Sequence, residues 1–443
     1  MSNRKEIMGS IYDLKLFYWA LREKIKGKVK KHSYIVAAYV WRRLLFKTTF
    51  VAVSGSVGKT TTKEFLSDIL EQRYPTVRTP GNWNIRKASG IEATILRARP
   101  WHRFAVVEIG IEKPGDMRSA AKFLKPDIAL MLGVKHCHTK VFKTLQAIAE
   151  EKSLLLHNLE DQACAVINQD DPLVSNMASN LKCKVIRFGS DKDADFRLCD
   201  SASRWPNRLM LEIEVDKVTH KIASRLVGTH WTPTIMASLA AAFYCGVPVE
   251  EAIRTIESID PFWARLQPIT LPSYGATLLR DDWNGSIDTF EKAFKVLEEA
   301  DASRKIVVFS DYSDSMKKLR ARANHLGRVA ARIADLAIFV SDYADRSVSA
   351  AIAEGLPPEQ AHAFFSISDA TDFLRHALRK GDLVLIKGQT SHHLSRIYLG
   401  LLGEIKCSIP SCSRQNLCDR CPELGLEWRP ELNDYMAAPD SKV

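Results

Sequence analysis

Residues 51–66 read VAVSGSVGKTTTKEFL. An apolar run meets the small turn Gly55, Ser56, Val57 and Gly58, followed by Lys59, Thr60 and Thr61. That order suits a phosphate cradle: glycines let the backbone wrap an anion, and N–H groups opening the next helix point at it. Lys59 can reach the outer phosphates, and Thr60 can give its hydroxyl to Mg²⁺. The full G-x-x-x-x-G-K-[ST] motif needs glycine at position 53, where this chain has Val53, so the match is to the shorter G-x-x-G-K-T. Nucleotide phosphate binding is therefore expected, with the use of the phosphate left open.

Two other sets of residues carry chemistry. Glu108 ends the apolar run FAVVE, where its carboxylate could hold Mg²⁺ with Thr60, since oxygen ligands suit this hard cation. Cys407, Cys412, Cys418 and Cys421 cluster near the C-terminus. Four thiols at that spacing could surround Zn²⁺ or hold an Fe–S cluster; the alternative is a reduced Cys-rich tail. The remaining cysteines are scattered and do not suggest a disulfide framework.

The elements that must position these groups read as alternating strands and helices. Val51–Val53, Phe104–Ile109, Ile128–Gly133 and Cys164–Asn168 are apolar runs of strand length; Lys59–Glu71, Asp116–Phe123 and Thr144–Leu156 have helical spacing. Such alternation implies an α/β fold with a mostly parallel sheet covered on both faces. Residues 181–226 look β-rich, as a small antiparallel layer, and Thr234–Cys245 reads as an Ala-rich helix. Thr277–Asp281, Lys305–Phe309, Leu336–Phe339 and Leu383–Ile386 mark a second, Rossmann-like α/β unit. The expected division is a basic helical extension (1–48), a central ATP-binding domain (49–262), a C-terminal domain (263–405) and a Cys-rich tail (406–443).

The net charge of +11 is concentrated at one end: residues 1–50 hold twelve Lys/Arg and three Asp/Glu. A local basic arm argues against nucleic acid and for an anionic membrane surface or a protein partner through residues 1–47. With no signal peptide and no run long enough to span a bilayer, the expected location is cytoplasmic, with the inner face of the membrane as a peripheral site.

Taken in order, further blocks resemble the Mur ligase family, and within it the branch that adds D-alanyl-D-alanine to a UDP-muramoyl tripeptide. They are TPGNWN (79–84), VEIG (107–110), His138 fourteen residues before Lys152, NQDD (168–171), Gly228–His230 before the Ala-rich helix, ARL (264–266), DDWN (281–284) and LIKG (385–388). The resemblance covers roughly residues 49–395. It implies an ATP-dependent, ADP-forming carbon–nitrogen ligase that activates a carboxylate as an acyl phosphate for attack by the amine of an amino acid or peptide, as in cell-wall synthesis. By the same resemblance, Glu108, His138 and Lys152 serve two Mg²⁺ ions, with Lys152 carbamylated. Arg265, Asp282 and Asn284 meet ATP, and Asn82, Asn84 and Lys387 meet the substrates. Family members acting on UDP-sugars begin with a separate UDP-binding domain, and only residues 1–48 precede the loop strand here, so the acyl substrate stays unassigned. The competing expectation is a nucleotide-binding, membrane-associated scaffold or an inactive relative.

Overall fold

The computed structural model describes residues 32–81, 84, 90–135, 141–283, 285–312, 318–407, 409, 412, 418–421 and 424. Helix α1 (32–44) leads into β1 (Thr49–Ser54), α2 (Lys59–Glu71), β2 (Thr76–Arg78), α3 (Gly90–Arg97), β3 (Phe104–Glu108), α4 (Asp116–Leu124), β4 (Ile128–Met131), α5 (Leu145–Leu156), β5 (Cys164–Asn168) and α6 (Pro172–Met177). Then come β6 (Lys184–Gly189), β7 (Phe196–Ala202), β8 (Met210–Val215), β9 (Val218–Ala223), α7 (Thr232–Tyr244) and α8 (Val249–Ser258). These strands form one nine-stranded sheet in the order β2-β3-β1-β4-β5-β6-β7-β8-β9. Its first seven strands pair in parallel, and β8 and β9 are antiparallel. The β-rich stretch expected as a small antiparallel layer does pair antiparallel through β7, β8 and β9, and it is an extension of the same sheet because β6 and β7 continue it in parallel from β5.

A second sheet has six strands in the order β10-β11-β15-β12-β13-β14: β10 (Gln267–Leu271), β11 (Ala276–Asp281), β12 (Arg304–Phe309), β13 (Leu336–Val340), β14 (Ala361–Phe364) and β15 (Asp382–Lys387). Only β10 is antiparallel. Helices α9 (Ile287–Glu299), α10 (Leu319–Ile333), α11 (Ala344–Ala353), α12 (Ile367–Ala377) and α13 (Ser395–Leu402) cover it. The fold is α/β, as expected.

Central strands are buried at every position because both faces are covered, and apolar except where β3 and β5 end on Glu108 and Asn168. Separate apolar clusters fill the two sides of each sheet, one gathered by α2, α7 and α8, another by α1, α4 and α5. Each cluster removes its apolar surface from water at about 25 cal/mol per Å².

Part of the Cys-rich tail packs into the second unit. Cys418 and Leu424 are buried against α12 and α13, and Asp419 forms a buried pair with Arg280. Among the described residues no group of three or more His, Cys, Asp or Glu side chains is placed to hold a metal ion. The expected Zn²⁺ or Fe–S site at Cys407, Cys412, Cys418 and Cys421 is not seen. Instead the Cys418 thiol sits 3.4 Å from His393 Nδ1, and burial pushes it up to about 11. Of the basic extension, α1 is the described part; residues 1–31 lie outside the described residues.

Candidate active site

The turn after β1 is set by two glycines. Gly55 has φ +153 and a Cβ there would meet Leu132 Cβ at 2.9 Å; Gly58 has φ +84. Left-handed Gly58 is the N-cap of α2, with no side-chain cap and no acidic residue in the first turn. The N–H groups opening the helix are thus left for an anion. Lys59 Nζ donates to the Gly55 and Ser56 carbonyls at 2.9 and 3.2 Å, so the ammonium lies along the turn it would leave to reach a phosphate. Ser56 Oγ bonds the Lys135 backbone and clips the turn to the loop after β4. Thr60 is buried beside the turn, and Thr61 and Thr62 are buried in α2.

Parallel pairing of β1 with β3 places Glu108 opposite Val53, immediately before the turn. The Glu108 side chain is 1% exposed. Its Oε1 accepts from Asn84 Nδ2 at 2.7 Å, while its Oε2 has no hydrogen-bond partner among the described residues. An orphaned carboxylate oxygen in a buried site is costly and calls for a cation. With the Thr60 hydroxyl at the start of α2, after the strand that Glu108 pairs beside, the donor set fits Mg²⁺. Lys152, on α5, is 1% exposed and donates to the Gly55 carbonyl at 3.0 Å, so it too borders the turn. His138, Asn82 and Asn284 lie outside the described residues.

Between the two sheets lies a cleft of about 560 Å³. Gly58, Asn168 and His230 line one side; Arg265, Asp281 and Lys292 line the other. Such a size suits a small-molecule site. Its charged lining is mixed: Lys135, Arg265 and Lys292 face it together with Asp170, Asp171 and Asp281, and Lys387 is buried behind Asp281. Arg265 feels the carboxylates of Asp281 and Glu108, while burial lowers its ordinary affinity for a proton. Lys387 is fully buried and pairs with Asp281 Oδ2 at 2.7 Å; burial pushes its ammonium down and Asp281 opposes that. Burial also lowers Lys292, with Lys135 and Lys387 adding to the effect. Burial and these lysines push His230 down to about 3, so its ring is neutral at ordinary pH. Lys135, Arg265 and Lys292 give the cleft the cationic groups that the phosphates of a nucleotide would meet.

The junction brings Arg265 there by an unusual backbone. Ala264 and Leu266 have φ +54 and +49, where residues with a Cβ are strained. The Leu266 N–H donates to Asp281 Oδ1 at 3.3 Å, which ties the junction to β11.

Asp282, expected at the nucleotide, points elsewhere. It is 1% exposed and accepts from Arg280 Nε at 2.7 Å. Arg280 is also held by Asp419 and by the Tyr398 hydroxyl, with Trp263 and Tyr398 rings over its guanidinium at 4.5 and 4.3 Å. Along a strand, side chains alternate faces, so Arg280 and Asp282 share one side and Asp281 takes the other. It is Asp281 that reaches the cleft.

Sequence reasoning missed several supports. Lys63, fully buried, donates to the Thr79 and Gly81 carbonyls at 2.7 and 2.5 Å and pairs with Glu64, holding the 79–81 loop against α2. Thr79 Oγ1 accepts from the Glu108 N–H at 3.0 Å. Asp171 caps α6 and accepts from the Val134 N–H at 2.8 Å, which fixes the loop facing the phosphate turn. Lys63 and Glu64 sit side by side in a helix that is otherwise strongly apolar on its inner face, which was the available signal.

The sequence profile of the Mur ligase middle domain matches residues 53–242, and that of the Mur ligase glutamate ligase domain matches residues 264–390. The UDP-N-acetylmuramoyl-tripeptide–D-alanyl-D-alanine ligase of Treponema pallidum is 27% identical over 350 residues, covering 78% of this chain and 73% of the relative. Its namesake in Mycobacterium tuberculosis strain H37Rv is 24% identical over 379 residues, covering 81% and 74%. Among solved structures, MurF from Acinetobacter baumannii superposes with a TM-score of 0.76 at 23% identity, over 84% of this chain and 80% of that one. MurF ligase from Thermotoga maritima in complex with ADP gives 0.70 at 22% identity, over 84% and 83%.

Proposed function

This chain belongs to the Mur ligase family, whose members are ATP-dependent ligases, and from that premise we propose that it joins a carboxylate substrate to the amine of an amino acid or peptide, forming ADP and phosphate. The observation that carries the reading is the buried Oε2 of Glu108, without a hydrogen-bond partner among the described residues, beside the phosphate turn and within electrostatic reach of Arg265.

In this reading the α2 N-terminus and Lys59 hold the β- and γ-phosphates of ATP. The substrate carboxylate attacks the γ-phosphorus; ADP leaves, and an acyl phosphate forms. Two anions must approach, so positive charge has to lie between and around them. Lys59, Arg265 and Lys387 supply fixed positive charge from this chain. Mg²⁺, held by Thr60 and Glu108, with His138 and a carbamylated Lys152 for a second ion, would add Lewis-acid stabilisation of the transferring phosphoryl group. Asp281 and Lys387 face the cleft where the amine would attack the acyl carbon and release phosphate. Closure of the two sheets' units over the cleft keeps water from the acyl phosphate.

The relatives' names give the first substrate pair to try: a UDP-N-acetylmuramoyl tripeptide and D-alanyl-D-alanine. ADP release should require both a carboxylate and an amine partner, and Lys59→Ala should reduce it by about 10²-fold or more. ADP release that continues unchanged in Lys59→Ala would remove the phosphate turn from the reaction.

A further inference from the structure

Helix α1 shows two faces. Ile35, Ala38, Trp41 and Leu45 pack on the first sheet's core, while Val36, Val40 and Leu44, spaced four apart, are 47%, 50% and 59% exposed. Just beyond the helix, Phe46 is 81% exposed. Trp101, on the loop between α3 and β3, is 68% exposed. The two segments are joined: Trp41 Nε1 donates to the Ala98 carbonyl at 2.9 Å, Thr48 Oγ1 to the His102 carbonyl at 2.8 Å, and Arg103 to the Lys47 carbonyl at 3.4 Å. These bonds hold the segment carrying Trp101 against the segment that carries Phe46 at the end of α1.

The two segments carry only positive charge, with Asp127 and Glu71 as the nearby acids. Residues 32–47 and 97–103 contain Arg42, Arg43, Lys47, Arg97, Arg99 and Arg103 and no Asp or Glu. The neighbouring carboxylate of Asp127 accepts from the Phe50 N–H and lies 3.7 Å from Arg42. Residues 1–31, which lead into α1, add nine Lys/Arg against three Asp/Glu. Exposed Trp and Phe beside Lys and Arg are the side chains that settle at a bilayer's headgroup level, where the rings enter the acyl boundary and the cations meet phosphates. Trp, Phe and Arg are also the side chains of protein interfaces, so behaviour on a sizing column separates a protein partner from a lipid one.

The face also has the right placement. Lys47 immediately precedes β1 and Arg103 precedes β3, so the patch lies at the amino edge of the parallel sheet. The phosphate turn follows the other end of β1, six residues or roughly 20 Å away. A surface bound at the patch leaves the cleft open.

We propose that this face docks the protein on an anionic lipid bilayer, with Phe46 and Trp101 inserted and Lys47, Arg97, Arg99 and Arg103 against lipid phosphates. The proposal does not depend on the ligase reading. The test is co-sedimentation of the full chain with vesicles of phosphatidylcholine alone and of phosphatidylcholine with phosphatidylglycerol. Binding is expected only with phosphatidylglycerol, weakening as salt rises. Phe46→Ser with Trp101→Ser, and separately Arg97→Glu with Arg99→Glu, should each raise the lipid concentration for half-binding about tenfold or more, with unchanged melting temperatures. Absence of sedimentation, equal binding to phosphatidylcholine alone, or two variant pairs that sediment like the parent would each overturn the proposal. So would a variant that alters only the oligomeric state on a sizing column, which would assign the face to protein contact.

Discussion

Glu108→Gln separates a chemical role from a structural one. The substitution keeps the side chain's shape, and glutamine's oxygen can still accept from Asn84 Nδ2, now 2.7 Å from Oε1. No hydrogen bond is lost at the other oxygen, because Oε2 has none among the described residues. What disappears is a negative charge in a site 1% exposed. Glutamine puts an amide NH2, equally without a partner, where Oε2 was, so that penalty stays; what is removed is the cost of burying a charge, and the lost attraction to Arg265 offsets part of that gain. The net expectation is stability equal to the parent's or higher by about 1 kcal/mol, a melting-temperature rise of about 2–4 °C. Turnover should move the other way. Loss of an anionic ligand for the ion that offsets phosphoryl charge costs several kcal/mol of transition-state stabilisation, so ADP release should fall about 10²–10⁴-fold. Thermal denaturation without ligands and coupled ADP detection read the two quantities independently. A variant that melts lower and turns over normally would refute the reasoning and make Glu108 a structural residue.

Other consequences follow from the cleft and its supports. Ala264→Gly removes a Cβ from a φ of +54 but frees the unfolded chain, so stability should change by less than about 1 kcal/mol. If backbone strain there aims Arg265, the KM for ATP should rise, which steady-state kinetics will show. Asp419→Ala takes one of two carboxylates from the buried Arg280, whose side chain is 0% exposed, and should destabilise by about 2–4 kcal/mol in a denaturant titration. His230, pushed from 6.5 to about 3 in the fold, stays neutral while the unfolded ring takes a proton. Its contribution to stability is full above pH 6.5 and is lost as the pH falls towards about 3, so His230→Gln should flatten stability against pH in that window.

The core strands were legible because burial on both faces makes them uniformly apolar: CAVIN and the helix Lys59–Glu71 were read with their observed limits. Edge strands were not. β2 (TVR), β10 (QPITL) and β14 (AHAF) are short and half-exposed; β2 has only three residues, and a Pro in β10 and a His in β14 break the pattern. At the site, residues on the strand–turn–helix unit were readable because a phosphate cradle is local in sequence. Asp281 and Asp282 were not separable, since strand alternation decides which one reaches the cleft and a short block does not reveal which face that is. Lys63, Thr79 and Asp171 act through backbone contacts across 16, 29 and 37 residues, and such contacts leave no spacing signal. The tail's four thiols suggested a metal, whereas Cys418 packs beside His393 and Asp419 locks Arg280.

The most direct test of the ligase assignment uses a carboxylate substrate labelled with ¹⁸O, ATP, Mg²⁺ and an amine, with the UDP-N-acetylmuramoyl tripeptide and D-alanyl-D-alanine as the first pair. Mass spectrometry should find the condensed amide together with ADP, and one ¹⁸O carried into the released phosphate. Formation of AMP, or phosphate without label while amide accumulates, would contradict activation of the carboxylate by the γ-phosphoryl group.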